Sequence, residues 1–189
     1  MEDDIGQIQI YSDYVQEQMD DKRYRHTLGV VEVATDLAII YGLDLYKARL
    51  SALFHDLAKE YPVDKKRELC KHYHIPMDDF LKDNIHLSHG LIAAKIVEDK
   101  FAIKDSNILK AINNHTLGAK NMSDLEKIIY ISDIIEPSRK YSPQLNKLRI
   151  LAYTDLDKAM KFALNRNIDY LTLKNKPIHP IIYSILKEY

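Results

Sequence analysis

An all-α helical bundle is the fold this sequence predicts. Helix-breaking residues are scarce, with 5 Gly and 6 Pro in 189 residues. Apolar residues recur at helical spacing in one segment after another, and alternating β-branched runs of the kind that build sheets are few. Hydrophobic residues make up 46% of the chain, enough for a sizeable core at a length close to one ordinary domain. We read 1–189 as a single domain, a bundle over about 20–140 with a helical appendage over about 141–189.

The first helix spans Ile5 to Met19, with Ile8, Tyr11, Val15 and Met19 on one face. The second, Tyr24 to Tyr41, shows a clear stripe of His26, Val30, Val33, Leu37 and Ile40, and Gly42 stops it. Asp44 suits the N-cap of a third helix that runs through Lys47, Leu50, Leu53 and Leu57 to about Glu60, with Pro62 opening the next element. Residues 63–83 read as short helices broken around Ile75-Pro76. Three further stripes follow: His89, Ala93, Ile96 and Val97; Ile108, Ala111, Ile112 and His115; Leu125, Ile128, Ile129 and Asp133, the last closed by Pro137. Ser123 and Glu126 have capping-box spacing at the start of that last helix. A long helix from about Leu145 to Leu164 and a short one from Pro180 complete the prediction.

Composition excludes several classes. Lys and Arg total 27 against 28 Asp and Glu, a net charge of -1, which argues against a dedicated nucleic-acid binder. The single cysteine, Cys70, rules out an intramolecular disulfide and a cysteine-based zinc module. No apolar run approaches the length of a membrane-spanning helix, and Met1-Glu2-Asp3-Asp4 is acidic where a secretory signal would be basic. A cytoplasmic protein that engages no membrane is the expectation. Neither a Gly-rich dinucleotide loop nor a P-loop is present.

What stands out is that metal-binding residue types sit on otherwise apolar stripes. His26 opens one, His55-Asp56 lies near the end of the next helix, His89 starts a third, His115 ends a fourth and Asp133 lies near the end of a fifth. An unpaired Asp at a core-facing position costs several kcal/mol of desolvation, so it needs a partner or a metal. Each residue alone has an ordinary explanation as a satisfied core, surface or capping group. Together, four imidazoles and two carboxylates form a nitrogen and oxygen set suited to Fe, Mn, Co or Zn. His72 and His74, in a polar connector, read as solvent-facing, and His86 is a rival to His89.

The runs Tyr24-Arg25-His26-Thr27-Leu28-Gly29-Val30, Leu53-Phe54-His55-Asp56-Leu57-Ala58-Lys59 and Tyr130-Ile131-Ser132-Asp133 resemble the H…HD…D signature of HD-domain metal-dependent phosphohydrolases. Leu87-Ser88-His89-Gly90, Asn114-His115-Thr116-Leu117-Gly118 and Ile134-Ile135-Glu136-Pro137-Ser138-Arg139 extend the resemblance, most of all to the YqeK-like family of symmetrical dinucleoside tetraphosphatases. Through Leu148-Arg149 and Ile178-His179-Pro180 it covers nearly the whole chain; Ser132 stands where a small residue such as Ala is expected. The resemblance implies the HD helical bundle and a dinuclear centre, iron by preference, held by His26, His55, Asp56, His89, His115 and Asp133. It also implies hydrolysis of diadenosine tetraphosphate to two ADP, and a homodimer.

Within that frame Asp56, Lys59 and Asp133 are the expected catalytic residues. Asp56 has two oxygens with which to bridge metals about 3.5–4 Å apart, which would hold a shared hydroxide in line with a phosphorus. Lys59, one turn beyond His55, and Arg139, beyond Pro137, would meet phosphate charge, with Arg23, Arg25 and Lys120 as lesser sources of positive field. Thr116 and Gly118 would shape a phosphate- or ribose-contacting loop, and Glu136 would orient a metal water or a ligand histidine, or relay a proton. Tyr170, with Tyr141 and His179, is a candidate for the nucleoside. The alternatives are an HD hydrolase acting on another nucleotide or a cyclic dinucleotide, and a non-catalytic nucleotide-binding module with a structural metal.

Overall fold

The structure, a computed structural model, describes residues 2–189, with side chains from residue 6 onward. Met1 and the side chains of Glu2, Asp3, Asp4 and Ile5 lie outside it. Eleven α-helices and one 310 turn appear among the described residues, and no strand. In chain order they are α1 (Glu2–Glu17), α2 (Asp21–Ile40), α3 (Leu45–Phe54), α4 (Val63–His72), α5 (Asp79–Asp83), the 310 turn Ile85–Ser88, α6 (His89–Lys100), α7 (Ser106–Asn114), α8 (Asp124–Ile135), α9 (Pro143–Ala152), α10 (Leu156–Leu173) and α11 (Pro180–Leu186). None is long and apolar enough to cross a membrane.

Most helices start where a short polar side chain captures an orphan backbone amide. Asp20, Asp44, Asp78, Ser142 and Asp155 each accept from the amide three residues on. Ser123 and Glu126 form the full reciprocal capping box ahead of α8. The cap at Asp20 starts α2 a turn earlier than the apolar stripe alone suggests, which brings Arg23 onto the same helix as His26.

Two predicted boundaries are corrected. The single helix expected over Leu145–Leu164 is two, α9 and α10, broken at Tyr153–Asp155. There Thr154 turns its hydroxyl back onto the Ile150 carbonyl and Asp155 caps a fresh start at the Lys158 amide, so side chains outcompete the continuing helix. The third helix ends as regular α-helix at Phe54, not Glu60. Beyond it the chain tightens into three-residue turns, Leu57 N–H to Phe54 O at 3.1 Å and Lys59 N–H to Asp56 O at 2.9 Å. The buried Lys66 of α4 pins this segment by donating from Nζ to the Lys59 carbonyl at 2.7 Å.

Buried apolar residues gather in two clusters. One is built mainly on α2, α8, α9, α10 and α11, around Leu37, Ile128, Leu148 and Met160. The other is built on α1, α3, α4, α6 and α7, around Phe54, Leu57, Ile92 and Ile112. Val31 packs against both. Leu145, Leu148, Leu164 and Ile182 bury in the same cluster as α2 and α8, so the C-terminal helices share that core.

Candidate metal centre

The six predicted ligands meet at the boundary between these clusters. α2 brings His26 and α8 brings Asp133 from the first; the turn after α3 brings His55 and Asp56, the start of α6 His89 and the end of α7 His115 from the second. His26, His55, Asp56, His89 and His115 are all buried, and three overlapping groups have ligand atoms within 4.8 Å of one another: His26, His55 and Asp56; His55, His115 and Asp133; Asp56, His89 and His115.

Each histidine has one ring nitrogen committed by its surroundings. The Nδ1 atoms of His55, His89 and His115 lie 2.6, 2.9 and 2.7 Å from the carbonyls of Ala52, His86 and Ile112, each three residues back along the chain. A carbonyl only accepts, so Nδ1 carries the hydrogen and donates. In the neutral ring the Nε2 lone pair is then left facing inward. His26 reaches the same state by another route, donating from Nδ1 to Glu136 Oε1 at 3.0 Å. Glu136 is fixed in turn by the Ser138 amide and hydroxyl, each donating at 2.6 Å. Ser138 and His26 outweigh the effect of burial and keep the Glu136 carboxyl below its usual range.

Asp56 divides the four imidazoles into two pairs. Its Oδ2 lies 3.5 Å from His55 Nε2 and 3.7 Å from His26 Nε2, while Oδ1 lies 3.1 Å from His89 Nε2 and 3.6 Å from His115 Nε2. Burial opposes its ionisation, but His55, His115 and His89 overcome that and hold it well below the usual carboxylate range. Asp133 is likewise shifted down: burial raises it, and His26, whose Nε2 lies 3.0 Å from Oδ1, reverses the balance when its ring is protonated. Burial pushes the His89 imidazole from its usual value near 6.5 down to about 4, keeping it neutral.

These atoms fit a cation better than they fit each other. His26 Nε2, His55 Nε2 and Asp56 Oδ1 are buried without any hydrogen-bond partner, a state that costs free energy unless something else satisfies them. His89 and His115 present Nε2 atoms 3.0 Å apart, and the Thr116 hydroxyl, 3.1 Å from each, can donate to only one at a time. Buried imidazole nitrogens and carboxylate oxygens converging on one space are a divalent-metal donor set.

Cations ring the cluster. Lys59 Nζ stands 3.3 Å from His89 Nε2 and 3.9 Å from Asp56 Oδ1. Arg139 makes a forked contact, Nη2 to Asp133 Oδ1 at 2.7 Å and Nε to the Asp133 carbonyl at 3.1 Å. Arg23, only a lesser candidate in the sequence, donates from Nη1 to Asp56 Oδ2 at 2.8 Å. Its position one turn before His26 on the same helix face was the available signal. Ser138, with no signal of its own in the sequence, emerges as the support for Glu136.

Other predicted residues lie elsewhere. Gly118 is not brought to the cluster: it takes a positive φ of 77°, donates its amide to the Asn114 carbonyl at 2.8 Å and faces Ile185. A phosphate therefore finds no free amide there. Tyr170 is half exposed and lines a groove with Arg139, Lys140, Arg166 and Asn167, beside the cluster but not on it. His86 supplies a backbone carbonyl to His89, so it orients that ring.

Comparison with known proteins agrees with this geometry. The HD domain family profile matches residues 23–138, the span in which all six candidate ligands lie. A symmetrical bis(5'-nucleosyl)-tetraphosphatase of Halalkalibacterium halodurans is 42% identical over 88% of both chains, and one of Bacillus subtilis is 37% identical over the same shares. A crystal structure from Clostridium acetobutylicum, described as a predicted HD superfamily hydrolase involved in NAD metabolism, superposes with a TM-score of 0.91 at 37% identity, covering 95% of this chain and 94% of that one. On these matches the chain belongs to the HD domain family.

Proposed function

We propose that this protein is a metal-dependent phosphoanhydride hydrolase that splits a dinucleoside tetraphosphate symmetrically, diadenosine tetraphosphate giving two ADP. One observation carries the reading: a single buried carboxylate, Asp56, turns each of its oxygens to the Nε2 atoms of a separate pair of imidazoles. That division suits a donor set for two divalent cations. The names of the relatives supply the substrate class.

His26, His55, Asp56, His89, His115 and Asp133 would hold the two metals, iron in our reading, with Mn, Co or Zn as the other occupants of such a donor set. Bound there, they would supply Lewis acidity that neutralises phosphate charge and makes water a better nucleophile. The protein's own groups do the rest. Lys59 and Arg139 each leave more than a third of their side chains exposed beside the cluster, so both present positive charge to an incoming polyphosphate. Thr116 offers a hydroxyl at the same rim, Glu136 keeps His26 in its ligating tautomer, and Tyr170 offers a stacking face across the basic groove. We further propose that the protein works as a cytoplasmic homodimer, to be checked by sedimentation.

The test is product analysis. With reduced iron or manganese, purified protein should convert diadenosine tetraphosphate to ADP alone on anion-exchange chromatography; ATP with AMP would refute symmetric cleavage. Asp56→Asn should keep the fold by circular dichroism yet lose metal and at least about 10³-fold of turnover, a loss of roughly 4 kcal/mol in barrier lowering. Retained turnover in metal-free Asp56→Asn protein would remove the catalytic role of the centre.

A further inference from the structure

The helix α4 carries none of the six metal ligands, yet its two buried side chains, Lys66 and Cys70, both reach segments that do. They stand one turn apart on the same helix face. Lys66 Nζ donates to the Lys59 carbonyl at 2.7 Å, at the end of the turn that holds His55 and Asp56. Cys70 Sγ lies 3.7 Å from Ser88 Oγ, and Ser88 Oγ donates to the Ile85 carbonyl at 2.7 Å within the 310 turn that leads into His89. One turn of α4 therefore braces two ligand-bearing segments.

Of the two contacts, the one from Lys66 is the costly one. Lys66 is only 4% exposed, and burying an ammonium carries a desolvation penalty that a methionine of similar length does not incur. Burial and the nearby Lys59 ammonium push the Lys66 pKa down while Asp56 pulls it up, so its charge lies within reach of both groups. The carbonyl it satisfies has no other partner: regular helix stops at Phe54, and no backbone amide among the described residues bonds the Lys59 oxygen. Two bonds thus fix the backbone at Lys59, the one from Lys66 and the one from its own amide to the Asp56 carbonyl at 2.9 Å. What this turn aims is the Lys59 side chain, whose Nζ stands 3.3 Å from His89 Nε2 and 3.9 Å from Asp56 Oδ1.

We propose that Lys66 is a positioning residue: it acts through Lys59, fixing the turn so that the Lys59 ammonium is already aimed at the place where a phosphate oxygen arrives. The proposal rests on the functional reading above and deepens it, because the contribution of Lys59 to phosphate binding then depends on a second, buried lysine that never touches the substrate. A long side chain aimed in advance loses less conformational freedom on binding than one whose base can swing.

A double-mutant cycle tests this. Lys66→Met removes the donor, Lys59→Met removes the phosphate-facing charge, and a third protein combines them. All are loaded with manganese, assayed for metal content, checked for helicity by circular dichroism and titrated with inorganic pyrophosphate by equilibrium dialysis; KM is measured for diadenosine tetraphosphate. Lys59→Met should weaken pyrophosphate binding about tenfold, the scale of one charge-assisted hydrogen bond. Lys66→Met should weaken it about fivefold, with KM rising in parallel and metal content unchanged. The double variant should bind no more weakly than Lys59→Met alone, whereas a residue that only stabilises the fold gives the same factor in both backgrounds. That equal factor overturns the proposal, as does natural affinity in either single variant or loss of metal from Lys66→Met. Should Lys66→Met not fold, Lys66→Gln, polar but too short for the same bond, takes its place in the cycle. If the double variant matches Lys59→Met while the natural sequence leaves diadenosine tetraphosphate intact, Lys66 keeps its role and the substrate reading falls.

Discussion

His26 differs from the other three histidines in how its ring is held, and the difference makes it the sensitive member of the set. Backbone carbonyls orient His55, His89 and His115, and no substitution of a side chain removes them. His26 depends on Glu136, which reaches it only because Gly29 leaves room: a Cβ at Gly29 would stand 2.9 Å from Glu136 Oε2. The His26 ring N–H points at one Glu136 oxygen and the Ser138 amide at the other, so in Glu136→Gln the NH2 must face a donor in either orientation. Loss of such an orienting partner costs about 10–100-fold in metal affinity. Glu136→Gln should therefore weaken metal binding by about tenfold in a chelator-competition titration, with Tm of the metal-free protein little changed. Gly29→Ala should do the same although Ala favours the helix by about 1 kcal/mol. Unaltered metal affinity in both variants would mean that Glu136 does not set the His26 tautomer.

The α6–α7 pair shows what a close approach of elements does for the centre. A Cβ at Gly90 would lie 2.9 Å from the Ile112 carbonyl, 3.0 Å from the Asn113 carbonyl and 3.0 Å from His115 Cε1. Backbone carbonyls cannot swing aside, so Gly90→Ala must push α6 from α7, separating His89 from His115. Overpacking of this kind costs about 1–3 kcal/mol; urea unfolding of the metal-free variant should show a loss of that size, along with loss of metal from the loaded form. Wild-type stability and metal content in Gly90→Ala would disprove the tight fit. The same elements show what a sequence makes legible. Stripes of period 3.6 on α2, α6, α7 and α8 exposed both the helices and their odd polar members, because a buried His or Asp on such a stripe has no cheap explanation. Capping at Asp44 and Ser123 was equally readable, being local. The break at Thr154-Asp155 and the early end of α3 were not, since there side chains compete with backbone partners at near-equal free energy. Arg23 acts on Asp56, 33 positions along the chain, and Ser138 acts through Glu136 on His26, which lies 110 positions from Glu136; only folding creates these contacts. The Asp78–His179 pair likewise joins segments 101 residues apart.

At the scale of the molecule, the metal cluster is a polar seam between two apolar cores, and its electrostatics should govern acid stability. His89 is pushed from near 6.5 to about 4 in the folded protein. Between those values the unfolded chain binds more protons than the folded one, so stability rises with pH across the window and is lost as pH falls through it. Asp56 and Asp133 lie below their ordinary value of 3.8. Their contribution is present above that value and disappears only at still lower pH, after that of His89. A divalent metal held by the folded state, with its ligands deprotonated, would add a stabilisation that grows with the logarithm of metal concentration over Kd. Three melting curves check this. Chelated protein should lose Tm steadily from pH 6.5 to 4, metal-loaded protein should melt higher at neutral pH and converge on the chelated curve as protons displace the metal, and chelated His89→Leu should flatten the same stretch of the profile. A slope unaffected by His89→Leu would place the acid sensitivity somewhere other than this seam.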